Sequence, residues 1–300
     1  MTLESVLSGV QKDPHRILIY GVGGIGKSTF ASEAPTPIFL DTQDGTGHLP
    51  VKRFPRPNTW DDVLDSINEL VEHDHPYKTF AIDLLDDLEA LIWAHICKRD
   101  GHSNIEDYGY GKGYKVALNE WRLLLARLEQ LRREKKMSII FTAHAQVKAY
   151  KSPLTEDYDR YSLQIHEAAS GLLRGWCDTV LFAQHEVVLK VDPKKRKTRG
   201  ISTGARLIQT VETAGYHAKN RDNLPDTLPL DYAAFAQAVE SGQPADPSEV
   251  RAEIAALSVD LDADTLGKVE QSVSAAGDDS TRLVRVLNRL REISQKQGDK

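Results

Sequence analysis

Short apolar runs separated by stretches of helical period dominate the first 240 residues. Arg16–Tyr20, Pro37–Leu40, Thr79–Asp83, Ser138–Ala143 and Thr179–Phe182 have the length and content of buried strands. Between them, Trp60, Val63, Leu64, Ile67 and Leu70 fall on one helical face behind an Asn58-Thr59 cap. Leu85, Leu88, Leu91 and Ile92 repeat that spacing, as do Trp121, Leu124, Leu125, Leu128 and Leu131, and a shorter helix is predicted over Glu167–Trp176. Strands alternating with helices predict an α/β fold with a mostly parallel sheet covered on both faces. Two stretches break the pattern. Asp100 to Lys115 is rich in Gly and Tyr, and Lys148 to Tyr161 is polar without a period and reads as a loop. Two further strands flank a basic turn, Lys194–Arg199, and a last strand ends in Gly215–Arg221.

Ser241–Pro247 has linker composition, and Asp246-Pro247-Ser248-Glu249 reads as a helix start. The expected organisation is therefore an N-terminal segment (1–14), an α/β core (15–240), a linker (241–247) and a small helical region (248–300). Its helical stretches are expected around 248–257, 263–275 and 280–295, with a frayed tail beyond.

The break after Tyr20 carries the chemistry. Gly21-x4-Gly26-Lys27-Ser28 follows a strand and opens a helix, the context a P-loop requires. Gly21, Gly23, Gly24 and Gly26 permit close backbone approach, so the amides from Gly21 through Ile25 to Thr29 can cradle phosphates. Lys27 then reaches the β- and γ-phosphates of a nucleotide such as ATP, and Ser28 completes a Mg²⁺ shell. Asp83 closes an apolar strand, which is how a metal-side acid is presented. Its bland alternative is a cap for the next helix; Asp86 and Asp87 are alternatives for the acid, though on the helix they are expected to face solvent or the helix dipole. Gln43, Asp83 and His144 each end a strand, so three strand ends converge on the P-loop.

Composition narrows the class without changing this picture. At 40% hydrophobic and 27% charged, the chain is an ordinary globular one, with no apolar run of membrane-spanning length. Cys97 and Cys177 lack metal spacing and read as reduced thiols, which points to a cytoplasmic setting. The net charge of −6 does not advertise nucleic-acid binding, although the 194–199 run is locally basic and is either a solvated hairpin tip or a contact. Tyr108, Tyr110 and Tyr114, interleaved with Lys112 and Lys115, either stack bases over phosphate contacts or pack locally in a loop.

In order, YGVGGIGKSTFA, FLDTQDG, KTFAIDLLDDLE, IEDYGYGKGY, IIFTAHAQ and AKNRDNLP resemble the RecA-like ATPase core over residues 15–240. Within it they are most similar to phage-encoded Sak-type annealing and recombination ATPases. The resemblance implies a RecA-like P-loop NTPase fold with ATP and Mg²⁺ as cofactors, Lys27, Gln43, Asp83 and His144 as catalytic residues, and Ser28 and Asp83 on the metal. Gln43 stands where that family carries an activating acid, and an amide orients water but cannot take its proton; either Asp44 or Asp41 substitutes, or hydrolysis is slow and nucleotide acts mainly as an assembly switch. His144, with Gln146 as a further candidate, matches the polar sensor of the γ-phosphate. Segments 100–115 and 147–162 match two DNA-binding loops, which adds Lys148, Lys151 and Arg160 to the candidate DNA contacts. Lys219 and Arg221 match a basic pair that acts on a neighbour's nucleotide, implying a homo-oligomeric filament or ring. The implied partner is single-stranded DNA, with a single-strand-binding protein as a further candidate and no membrane. The implied function is ATP-dependent single-strand annealing or recombination; the alternatives are a helicase-like or helicase-loading ATPase, or a nucleotide-gated binding module with little turnover.

Overall fold

The computed structural model describes residues 13–152, 156–192, 197–242, 247–258, 261, 263–277, 283, 286, 287, 289 and 290. They fall into two compact units, one over residues 11–241 and one from Gly242 onward. Lys194, Lys195 and Arg196 of the basic turn lie outside the described residues, as do the first twelve residues and the tail from residue 291.

The first unit is built on one sheet whose order is β3 (Lys52–Arg53), β2 (Pro37–Asp41), β4 (Thr79–Asp83), β5 (Ser138–Tyr150), β1 (Arg16–Gly21), β7 (Thr179–Asp192), β8 (Lys197–Gln209) and β9 (Thr227–Pro229). From β3 to β7 the neighbours are parallel, and β8 and β9 close the far edge antiparallel. β5 intervenes between β1 and β4. That order fixes the site.

Alternation along each strand sorts the core into two layers. Leu18, Tyr20, Phe80, Ile82, Ile139 and Phe141 pack on one face under α2 (Trp60–Glu72), α3 (Leu85–Asp100), α4 (Lys112–Lys135) and α5 (Glu167–Trp176). Ile17, Ile19, Phe39, Ala81 and Ile140 pack on the other, under α1 (Lys27–Ser32) and α6 (Tyr232–Gly242). α2 starts where its sequence signals place it, with Thr59 and Asp62 forming a reciprocal capping box.

Three expectations are corrected. Lys148 to Tyr161 is not a loop: β5 runs on to Tyr150 and pairs antiparallel with β6 (Tyr158–Leu163). Its outer residues are largely exposed, so no apolar alternation marks them as strand. The Gly/Tyr segment is not open loop throughout, because Ile105–Tyr108 forms a 3-10 helix and α4 already begins at Lys112. Gly215 to Arg221 is no strand; it touches the sheet through isolated bridges, Tyr161 with Tyr216 and Val180 with Lys219.

In the second unit, α7 (Pro247–Leu257) and α8 (Ala263–Ala276) enclose a small core of Val250, Ile254, Ala276, Leu283, Leu287 and Leu290.

Candidate functional site

β1 delivers the chain to its carboxyl end at Gly21, where a Cβ would run into the Ala183 carbonyl of β7. Only glycine lets the backbone turn against that neighbour. Gly24 and Gly26 have φ of 73° and 116°, left-handed values that a side chain would strain. The loop folds over Lys27, whose buried Nζ donates to the Gly21 and Val22 carbonyls, each at 3.1 Å. Burial lowers the Lys27 pKa, and the nearby Asp83 and Asp86 charges work against that shift.

The strand register aligns the other groups. Asp41 stands opposite Asp83, Asp83 opposite Thr142, and Gly21 opposite His144. Each of Asp41, Asp83, Thr142 and His144 lies an even number of residues after a strand residue packed on the α1 face, so all four share the P-loop's side. The result is a cavity of about 290 Å³ lined by the P-loop, Asp41, Gln43, His48, Asp83, His144 and Arg206.

Asp83 is buried and accepts hydrogen bonds from the Thr142 hydroxyl and the Ser28 side chain. Burial raises its pKa and those bonds oppose the rise. A carboxylate and a serine hydroxyl in direct contact, facing a phosphate cradle, form the hard-oxygen donor set that suits Mg²⁺. Ser28 and Asp83 would hold that ion, which would neutralise charge on the phosphates.

Asp41 plays another part. Its carboxylate accepts from the Gln43 and Gly45 amides at 3.1 Å and from the Thr46 amide at 2.7 Å. Burial would raise its pKa, but these bonds, led by the Thr46 hydroxyl, outweigh burial and hold it below the usual range. Asp41 thus shapes the turn that presents Gln43, which is exposed at the pocket rim.

His144 approaches from the Gly23 end of the P-loop, with Nε2 3.8 Å from where a Gly23 Cβ would lie. Of the two settings its helix position allows, Asp86 takes the helix N-terminus and not solvent: it lies in the first turn of α3 with its side chain 11% exposed. Its Oδ2 accepts the His144 amide at 3.0 Å, and its Oδ1, which has no hydrogen-bond partner, lies 3.3 Å from His144 Nδ1. The amide bond to Oδ2 holds the backbone at His144, and the ring lies beside the P-loop with Nε2 toward Gly23. One turn further along α3, both oxygens of Glu89 take the His166 amide at 3.1 and 2.9 Å. Two carboxylates of one helix therefore tie down the chain where it enters the β5–β6 hairpin and where it leaves it.

The remaining sequence candidates are placed apart from this pocket. Lys219 bridges to Val180, which is level with Leu18 on β1, so it lies toward the amino end of the sheet. Its Nζ donates to the Arg174, Gly175 and Cys177 carbonyls at 3.0, 2.9 and 2.5 Å, closing the end of α5. Arg221 is the more exposed of the pair, with Nη1 3.4 Å from Asp178. The structure thus divides the expected basic pair: Lys219 is bound to three carbonyls of its own chain, and Arg221 is exposed beside Asp178.

Among the expected DNA contacts, Arg160 is corrected. It is 7% exposed and bound to Glu212 and to the Thr213 and Tyr216 carbonyls, so it cannot track a phosphate backbone from the surface. Tyr108 donates to the Ile96 carbonyl and to Asp100, and Tyr114 stacks on His166 at 4.1 Å. Those two rings pack locally. Tyr110, between two glycines, is fully exposed, and Lys112, Lys115 and Lys151 are exposed with it, while Lys148 lies 3.9 Å from Glu167.

Sequence reasoning passed over Arg206, His48 and the contact of Asp86 with His144. Nothing local marks Arg206: it becomes a pocket residue because β7 and β8 fold back beside the P-loop.

No helix among the described residues is long and apolar enough to cross a membrane. No curated protein matches the chain. Residues 13–222, which include the P-loop, Asp83 and His144, match a family model described as an AAA domain. With a phosphate cradle, an acid at the adjoining strand end and a family match over most of its length, this chain belongs to that AAA-domain family of P-loop ATPases.

Proposed function

We infer that the chain is an ATP- and Mg²⁺-dependent single-strand DNA-binding protein of RecA-like type, promoting annealing or recombination as a homo-oligomer. The observation that carries this reading is the continuity of β5. The strand that brings His144 to the P-loop also carries Lys148 and Tyr150 out along the hairpin. Nucleotide state and the outer surface are thereby joined by one backbone. Tyr110 with Lys112 and Lys115 supplies a free aromatic face beside cations, the combination that holds single strands without reading sequence. Arg221 is the residue through which a neighbour's nucleotide would be sensed in a filament or ring.

In this reading the P-loop amides and Lys27 hold the triphosphate, and Ser28 and Asp83 hold the metal. Gln43 orients water without accepting its proton, and the Asp86-fixed His144 reports on the γ-phosphate end. Because Gln43 is an amide, a second reading is favoured by a specific residue: a nucleotide-gated DNA clamp with little turnover.

The test is anisotropy of a labelled single-stranded oligonucleotide, titrated with and without Mg²⁺ and a slowly hydrolysed ATP analogue, with the duplex alongside and salt varied. Nucleotide-dependent, single-strand-selective binding is expected. Equal binding to the duplex, or none to either, overturns the DNA reading and leaves the P-loop ATPase. Tyr110→Ala is expected to weaken single-strand binding by about fivefold to a hundredfold, the range for one lost stacking platform.

A further inference from the structure

We propose that Arg206 is a nucleotide-binding residue, supplied in cis, that engages the α- and β-phosphates from the side of the pocket opposite the metal. The proposal rests on the reading of residues 21–29 as a nucleotide P-loop. On β8, Arg206 lies two residues from Ile208, which is buried in the layer containing Ile25 and Phe30, so both side chains stand on the α1 face. Its backbone is fixed by pairing with His185 and by the Leu230 amide, which donates to the Arg206 carbonyl at 3.0 Å.

From that position Nη1 donates to the Ile25 carbonyl at 3.1 Å and lies 3.0 Å from where a Gly26 Cβ would be. The guanidinium therefore sits over the middle of the P-loop and lines the cavity. Among the described residues no carboxylate pairs with it, and the Ile25 carbonyl takes one of its five donors. A forked cation without a counter-charge, placed at the wall of a phosphate cradle, is suited to an anion.

The topology says which anion. Asp83 and His144 come from β4 and β5 on one side of β1, and His144 flanks the Gly23 end of the loop. Arg206 comes from β8, beyond β7 on the other side, and flanks Gly26. The metal-side groups attend the γ-phosphate; Arg206 approaches from the opposite end, where a diphosphate is already complete. It should therefore hold ADP and ATP alike.

Fluorescent mant-ADP and mant-ATP titrations in Mg²⁺, with thermal melting of the free and ADP-bound protein, test this on the full chain. For Arg206→Ala, both dissociation constants are expected to rise together by roughly tenfold, the loss of a charge-assisted contact. The melting temperature of the free protein is expected to stay put while its ADP-induced rise shrinks. Arg206→Lys should recover part of the affinity, since charge is kept and the fork lost. Unchanged affinity for both nucleotides overturns the proposal, as does a loss confined to mant-ATP. A lowered melting point in the free protein with the ADP-induced rise intact also overturns it, because that is the signature of a P-loop brace. Lys27→Ala separates this from the P-loop reading: if the parent binds mant-ADP and Lys27→Ala does not, that reading stands whatever Arg206→Ala does. If the parent binds neither nucleotide, the P-loop reading itself fails.

Discussion

Lys27 shows how a single residue can be found from local spacing alone, because strand, glycines and helix surround it within one short stretch of chain. Replacing it with Ala should abolish nucleotide binding, and unchanged mant-ATP affinity in that variant would remove the assignment. Asp86 was illegible for the opposite reason. Its partner His144 lies 58 residues away, and only the β4–β5 register brings the two together. Asp86→Asn keeps the side chain's size but weakens the charge-assisted bond that holds the His144 backbone amide. Expected is a drop in kcat of about tenfold with KM little changed; a rise in KM at constant kcat would instead place Asp86 in substrate binding. Glu89 makes a pH prediction. Burial pushes its pKa up to about 7, so the folded protein holds the proton more tightly than the unfolded chain does. That contribution is fully present below the unfolded value, near 4.5, and is lost as pH rises toward about 7. Glu89→Gln should therefore gain stability relative to the parent between pH 5 and pH 8, by an order of magnitude of 3 kcal/mol, as read by urea unfolding at both pH values. A difference between the two proteins that does not change with pH would contradict the buried-acid account.

At the scale of elements, the buried strands and the amphipathic helices were legible because each meets the core with a plain period. Leu18 and Tyr20 face one layer, and Ile17 and Ile19 the other. The hairpin beyond Ala145 was not, since β5 is half-exposed there and the buried face of β6 is carried by Arg160 and Ser162, polar residues that leave no apolar alternation to read. The start of α4 was hidden differently. Gly109, Tyr110 and Gly111 all have positive φ, and the composition that signals a turn there runs straight into a helix. Gly113 is the tight point of that junction: a Cβ would meet the Ile105 carbonyl and lie 2.9 Å from both Ile105 Cδ1 and Tyr108 Cδ2. Gly113→Ala should cost about 1 to 3 kcal/mol in urea unfolding, the usual penalty of overpacking, while leaving mant-ADP affinity unchanged. Full stability in that variant would mean the 3-10 helix can move aside freely.

Across the whole molecule, the α/β class was legible from the alternation of strands and helices, but the strand order was not, because neighbours in the sheet are far apart in sequence. The small helical core from Val250 to Leu290 shares no residue with the two layers around the sheet. Nucleotide should stabilise residues 11–241, the unit that holds the P-loop. At a hundredfold excess over Kd the gain is about 2.7 kcal/mol, visible as slowed amide exchange in the strands of that unit. Exchange there unchanged by nucleotide would contradict binding at the P-loop. The order of the sheet also has a mechanical side. β5 is clamped by parallel neighbours on both flanks from Ile139 to Thr142, and from Ala145 outward it is held along one edge, by β6. It is a beam rooted at the phosphate end and propped partway, since β6 is tied to residues 212–216 through Arg160 and Tyr161, opposite Lys148 and Val147. A tilt at the root would pivot the tip about that prop, so movements too small to disturb the packed layers would still reach Tyr150, where a long, thin ligand would feel them first.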